Sequence, residues 1–467
     1  MGQEGKEQKE SRREIRRRKK KRAQIIAYSV AIVLIILLGI GIFRGADQLM
    51  NYVCERKTKP EEQQSTEAQS EGEISEPSAE EPEEAKTDAL DALVDSTIAA
   101  MSLEDKVAGL FMVTPEALTE VGTVVKAGDG TKKALEAYPV GGLIYFGQNI
   151  VDEKQLKEMI SNTVMYSKYP LFMGIDEEGG KVARLGNSDI EVEKVDEAAT
   201  IGASGDTSEA YGAMASIAGY LTKFGFNVDF APVADVLTNS DNEVIGTRAY
   251  SSDSGVVAEM AQAAIKGLQE NHVSACMKHF PGLGDVVQDP HKELTTTDKS
   301  LAEMRETEFI PYITGIEAGT DMIMISNMSA PQVIGDNTPC CMSSLIVTDV
   351  LRTELGYNGI VITDAMNMGA IKDYYKDGEA AVQAVQAGVD IILMPNDFKA
   401  AYQGVLDAVN DGTISEDRIN ESLHRIYRVK FKDSVDELEA NTPEKGTDES
   451  SGTEESSAEE STVNSKP

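Results

Sequence analysis

SACMKHFPGLGDVVQDPH, residues 274–291, begins as one kind of sequence and ends as another. Ser274 to Met277 are small or apolar, as a strand covered on both faces requires. Lys278 and His279 end the run, and Pro281, Gly282 and Gly284 then allow a sharp turn. Runs of the first kind recur: VGGLIYF (140–146), LFMGID (171–176), FNVDFAPVADV (226–236), DMIMISNM (321–328), GIVITD (359–364) and DIILMP (390–395). Between them lie amphipathic stretches such as DEKQLKEMISNTVMYSK (152–168) and SGVVAEMAQAAIKGLQEN (254–271). Strand and helix in alternation predict parallel β-structure with crossover helices. The expected fold is α/β, a single (β/α)8 TIM-type barrel. An open doubly wound sheet fits less well, because no glycine-rich phosphate loop follows the first strand. Asp176, Asp235, Lys278, His279 and Asp364 fall at or just past the C-terminal ends of their runs, the face on which such barrels build sites. One such aspartate alone reads as a helix cap. Several strands ending alike point to a shared pocket.

Composition bounds the barrel to part of the 467 residues. Residues 1–24 carry eleven Lys/Arg against four Glu, and residues 23–43 carry no charge. As a helix, that uncharged run spans about 31 Å, close to the thickness of a bilayer core. It is too long for the apolar region of a cleaved signal peptide, and no small-residue cleavage site follows. A transmembrane helix over 23–43 is therefore expected, with 1–22 as a basic cytoplasmic segment and the remainder outside the cell. Residues 61–88 hold eleven acids against Lys86, and 433–467 eleven against Lys445 and Lys466, with few large apolar side chains. Segments of that kind bury too little surface to fold. The domain reading is an acidic stalk over 44–89, a catalytic barrel over 90–432 and an acidic tail over 433–467. A net charge of −35 argues against a nucleic-acid partner. Four cysteines, two of them the adjacent Cys340 and Cys341, suggest no disulfide framework.

The loop that begins at Pro281 carries the chemistry. KHFPGLGDVVQDPH resembles the K-H-F-P-G-[HL]-G-x4-D-[ST]-H pattern of glycoside hydrolase family 3, in its β-N-acetylhexosaminidase branch. MSLEDKVAGLFMV (101–113), GIDEEGGKVARL (174–185), VIGTRAY (244–250), GIVITDAMNMGAI (359–371), AVQAGVDIILMP (384–395) and RIYRVKFK (425–432) are similar to further family segments, in family order. The resemblance implies that Asp364 is the nucleophile, His291 the acid/base and Asp289 the aspartate paired with that histidine. It implies that Asp176, Arg184, Arg248, Lys278 and His279 bind sugar hydroxyls. No metal and no cofactor are expected: His279 and His291, twelve residues apart without a third ligand nearby, make a poor zinc site.

Two positions depart from the family pattern. Pro290 stands where the pattern has Ser or Thr, removing an N–H from the loop. Glu177 stands where the family carries Gln, and is expected to add charge near the pocket. The resulting expectation is a membrane-anchored, monomeric, retaining β-N-acetylhexosaminidase acting on amino-sugar glycans such as those of cell walls. A β-glucosidase or glycoside phosphorylase on the same barrel is the alternative, and a non-catalytic wall-binding protein the alternative of another class.

Overall fold

A computed structural model describes residues 83–434. Eight parallel strands form its centre: β1 (Phe111–Val113), β2 (Gly142–Tyr145), β3 (Phe172–Ile175), β6 (Val228–Asp229), β7 (Ser274–Phe280), β8 (Met322–Ile325), β9 (Ile360–Thr363) and β10 (Ile392–Leu393). A hairpin of β4 (Glu177–Gly179) and β5 (Val182–Ala183) is inserted after β3. The strand order is β10-β1-β2-β3-β6-β7-β8-β9, and a parallel bridge from Ile362 to Ile391 brings the two ends together. The result is the expected (β/α)8 barrel. Every residue of the eight strands is buried, which is why they read as continuous apolar runs rather than alternating ones.

The amphipathic stretches form the outer ring. Glu153–Tyr166 buries Leu156, Met159, Ile160 and Thr163 and starts on an Asp152 side chain that accepts from the Gln155 N–H. Thr207–Phe224 lies against Ser254–Gln269, a closeness that Gly267 permits: a Cβ there would stand 2.5 Å from the Tyr211 carbonyl oxygen. Strand β1, inside MSLEDKVAGLFMV, does not register as a run of its own, because it follows closely on the helix Leu103–Ala108.

The expectation of a transmembrane helix ahead of the barrel needs correction. Residues 23–43 lie outside the described residues, and among the described ones no helix is long and apolar enough to cross a membrane. The physical reason lies in the ring helices, each apolar on the one face that meets the barrel and polar on the other. The basic segment 1–22 and almost all of the acidic stalk and tail also lie outside the described residues. The first described helix, Glu83–Ala99, starts ahead of the boundary expected at residue 90. It packs Leu90, Val94 and Ile98 into the core and ion-pairs Asp91 with Arg428 of the last helix, Glu416–Phe431.

Asp390 holds the seam of the barrel. Its fully buried carboxylate accepts from the Val361 N–H at 2.9 Å, the Ser422 hydroxyl at 2.7 Å, Arg352 at 2.5 Å and Arg425 at 3.1 Å. One aspartate thus ties β9 to the closing helix just where β10 enters. Asp390→Ala leaves mostly buried arginines without their counter-charge. It should destabilise the fold by about 3–5 kcal/mol, read as a lowered urea midpoint with an unchanged slope.

Candidate active site

The C-terminal ends of the strands surround a cavity of about 290 Å³. Asp176, Arg184, Arg248, Lys278, His279, His291 and Asp364 all line it. The eighth candidate, Asp289, stands behind His291, its Oδ1 2.8 Å from the histidine Nδ1.

Charge is concentrated on the side built by β3, the hairpin and β7. Lys278, with a side chain only 3 % exposed, contacts Asp176 at 3.0 Å and Glu178 at 2.6 Å. Arg184 reaches the other oxygen of Asp176 at 3.0 Å. Arg248 donates twice to Glu178, from Nε and from a terminal nitrogen, both at 2.8 Å. Burial alone raises a carboxyl pKa, but here the neighbouring cations prevail. Lys278 and Arg184 hold Asp176 well below the usual carboxylate range, and Lys278 and Arg248 bring Glu178 down to about 2. Burial likewise opposes the charge on Lys278, yet Asp176 and Glu178 raise its pKa above the ordinary lysine value. Asp176, Glu178, Lys278 and Arg248 remain ionised across the neutral range.

Glu178 and Phe146 were not anticipated from the sequence, although both line the cavity. The Arg184 guanidinium lies over the Phe146 ring, 5.3 Å from its centroid. Glu177, expected to charge the pocket, does not. Its carboxylate is buried and accepts from the Leu185 and Gly186 N–H groups and the Tyr220 hydroxyl at 2.7–2.8 Å. Burial pushes its pKa up. Successive residues of a strand face opposite ways, so β4 turns Glu178 to the cavity and Glu177 to the protein. Glu177 thereby fastens the segment that carries Arg184.

His279 is seated by Asp235, whose carboxylate lies 2.7 Å from its Nδ1 and also accepts from the Leu283 N–H at 2.6 Å. A strand-end aspartate noticed in the sequence but given no role therefore orients a cavity histidine and starts the loop that leads to His291. Gly284 lets that loop lie on the Val236 carbonyl, a contact that excludes any Cβ. The far end of the loop docks on the chain that follows Asp364: the Gly369 N–H donates to the His291 carbonyl at 3.1 Å and the Ala370 N–H to the Pro290 carbonyl at 3.2 Å. Pro290, one of the two departures from the pattern, lines the cavity, and its carbonyl serves this docking. His291 itself remains 65 % exposed. Desolvation works against the charge on Asp289, but hydrogen bonds from Lys292 and His291 outweigh it and hold that carboxyl below its ordinary range. Asp364 follows β9, its N–H donating to the Ile325 carbonyl at 2.8 Å. Its carboxylate accepts from the Ala365 N–H and caps no helix, since the next one, Gly369–Lys372, begins after Met368.

A (β/α)8 barrel with buried cations and carboxylates around one wall, and an exposed Asp–His pair on a loop beside it, suits a neutral ligand rich in hydroxyls. The glycosyl hydrolase family 3 N terminal domain matches residues 102–429, and the chain belongs to that family. It is 32 % identical over 334 residues to beta-hexosaminidase A of Pseudoalteromonas piscicida, covering 64 % of this chain and 54 % of that protein. It is 32 % identical over 319 residues to a beta-hexosaminidase of Idiomarina loihiensis, covering 68 % of this chain and 93 % of the relative. Among solved structures, a family 3 beta-N-acetylglucosaminidase from Paenibacillus sp. FPU-7 superimposes with a TM-score of 0.67 at 36 % identity, over 72 % of this chain and 64 % of that one. The chain thus spans about half the length of one of these relatives and nearly all of another.

The depressed carboxyls make a pH prediction. Because its folded pKa lies below its ordinary 4.5, Glu178 contributes stability that is fully present above that value and is lost as pH falls toward about 2. Glu178→Gln should therefore lower Tm at neutral pH and flatten the decline of Tm between those limits. Thermal melts across that range check it; a Tm deficit independent of pH contradicts it.

Proposed function

We propose that this protein hydrolyses terminal β-N-acetylglucosaminides of cell-wall or other amino-sugar glycans, with retention of configuration, through a glycosyl ester on Asp364. The observation that carries the reading is the meeting of Asp364 and an Asp289-backed His291 at one cavity that Asp176, Glu178, Arg248 and Lys278 also line. The names of the relatives support the sugar class.

Asp364 attacks the anomeric carbon and the bond to the leaving oxygen breaks, with His291 giving that oxygen its proton. Nδ1–H of His291 donates to the acceptor-only Asp289 carboxylate, so Nε2 is the nitrogen that gives and takes the proton. Neutral His291 then takes a proton from water, which attacks the same carbon and frees Asp364. Asp176, Arg184, Arg248, Lys278 and His279 bind the sugar hydroxyls in fixed orientation, because their own partners immobilise them before substrate arrives. A histidine ordinarily titrates near 6.5, so it serves at neutral pH without the deep burial a glutamic acid would need. That suits its exposed loop.

Leaving groups separate the acid role from a structural one. His291→Ala should lose about 100- to 10,000-fold in kcat on N,N′-diacetylchitobiose, whose leaving oxygen needs a proton. It should lose far less on a 2,4-dinitrophenyl glycoside, which needs none. Asp289→Ala should follow the same order more mildly. Equal losses on the two substrates contradict the assignment.

A further inference from the structure

Beside the catalytic loop lies a second concavity, of about 360 Å³, lined by Leu294, Asp336, Asn337, Thr338, Tyr374 and Tyr375. Three segments build it, two of which continue chain that lines the active site. Leu294 is three residues beyond His291 on the same loop. Asp336 to Thr338 belong to the connection after β8. Tyr374 and Tyr375 follow the short helix whose first residues hold the His291 and Pro290 carbonyls. These walls are tied to one another: the Ser329 N–H donates to the Thr295 carbonyl at 2.8 Å, and the Ser329 hydroxyl to the Asn337 carbonyl at 2.6 Å. The Tyr374 N–H and the Tyr375 N–H both donate to the Ile371 carbonyl at 3.0 Å.

The lining has an unusual composition for a surface. Tyr374 is 61 % exposed, one of the few large side chains so placed, while Tyr375 packs partly on the core. Around these two rings stand a carboxylate, an amide and a hydroxyl. A flat apolar face beside acceptors and donors complements a pyranose, which presents C–H bonds on one face and hydroxyls around its rim. In a chain with no tryptophan, an exposed tyrosine is the aromatic face to expect for this purpose. The position fits as well. The leaving oxygen is the atom beside His291, so whatever the leaving group carries beyond its first unit extends from the loop that Leu294 shares.

We infer that this concavity binds a further sugar unit of the leaving-group chain, with Tyr374 as its stacking face and Asp336 and Asn337 as its hydrogen-bonding rim. The inference rests on the hydrolase reading above and extends it to the substrate's length: the enzyme discriminates in favour of amino-sugar chains over glycosides with a short aglycone.

The test compares kcat/KM on N,N′,N″-triacetylchitotriose with kcat/KM on 4-nitrophenyl β-N-acetylglucosaminide, using the full chain. In Tyr374→Ala the ratio of the two should fall about tenfold, mainly through KM on the trisaccharide, as expected for one lost aromatic face. Tyr374→Phe, which keeps that face, should restore the ratio, and Asp336→Asn should lower it part of the way. A ratio that Tyr374→Ala and Asp336→Asn both leave at the wild-type value, whether or not the absolute rates drop, overturns the subsite while leaving the hydrolase reading intact. A wild type that cleaves neither substrate overturns both.

Discussion

Lys278 cannot be buried at the end of β7 as a bare cation, because taking an ammonium out of water costs several kcal/mol even after relaxation. Its two carboxylate partners meet that cost, and each comes from a different piece of chain: Asp176 from just past β3 and Glu178 from the hairpin. Those carboxylates in turn need Arg184 and Arg248. The hairpin, the Arg248 turn and the end of β7 are therefore held in one arrangement by charge balance. Removing Glu178 would leave the mostly buried Arg248 without its carboxylate partner. The same requirement makes the wall rigid, and a rigid wall of ionised groups is what an uncharged polyol needs for orientation.

The opposite side of the cavity follows another logic. His291 is exposed, on a loop fastened by Asp235, the Val236 backbone, Asn239 and Thr297 in its first half and by the N–H groups of Gly369 and Ala370 at its far end. The docking of that loop on the chain after Asp364 links the two groups assigned to the reaction through a few backbone hydrogen bonds. Asp364 and His291 thus hold their register without sharing an element.

Much of this was legible beforehand. Buried parallel strands announce themselves as unbroken apolar runs, and the residues that end them belong to the barrel's mouth, so Asp176, Lys278, His279 and Asp364 were readable from position alone. Strand β1 was not, because its apolar residues follow almost directly on those of the short helix Leu103–Ala108. Glu178 was missed, and Glu177 misread, for a different reason. In a short strand the inward and outward sets are swapped by a shift of one residue, and nothing in GIDEEGG fixes which glutamate faces the cavity. Asp235 was seen, but its service to His279 depends on a meeting across the barrel wall that no spacing reveals. The acidic composition near residue 83 concealed a helix whose order comes from Leu90, Val94 and Ile98 packing on distant sequence.

The account stands on Asp364 forming the bond to sugar. A 2-acetamido-2-deoxy-5-fluoro-β-glucosyl fluoride retains the N-acetyl group, and its second fluorine slows release of the ester, so the enzyme should accumulate as a covalent adduct. Mass spectrometry of the digested protein should find one added glycosyl group, on the peptide containing Asp364. A stoichiometric adduct on another carboxylate, or turnover of the reagent with no adduct at any time, would contradict the mechanism.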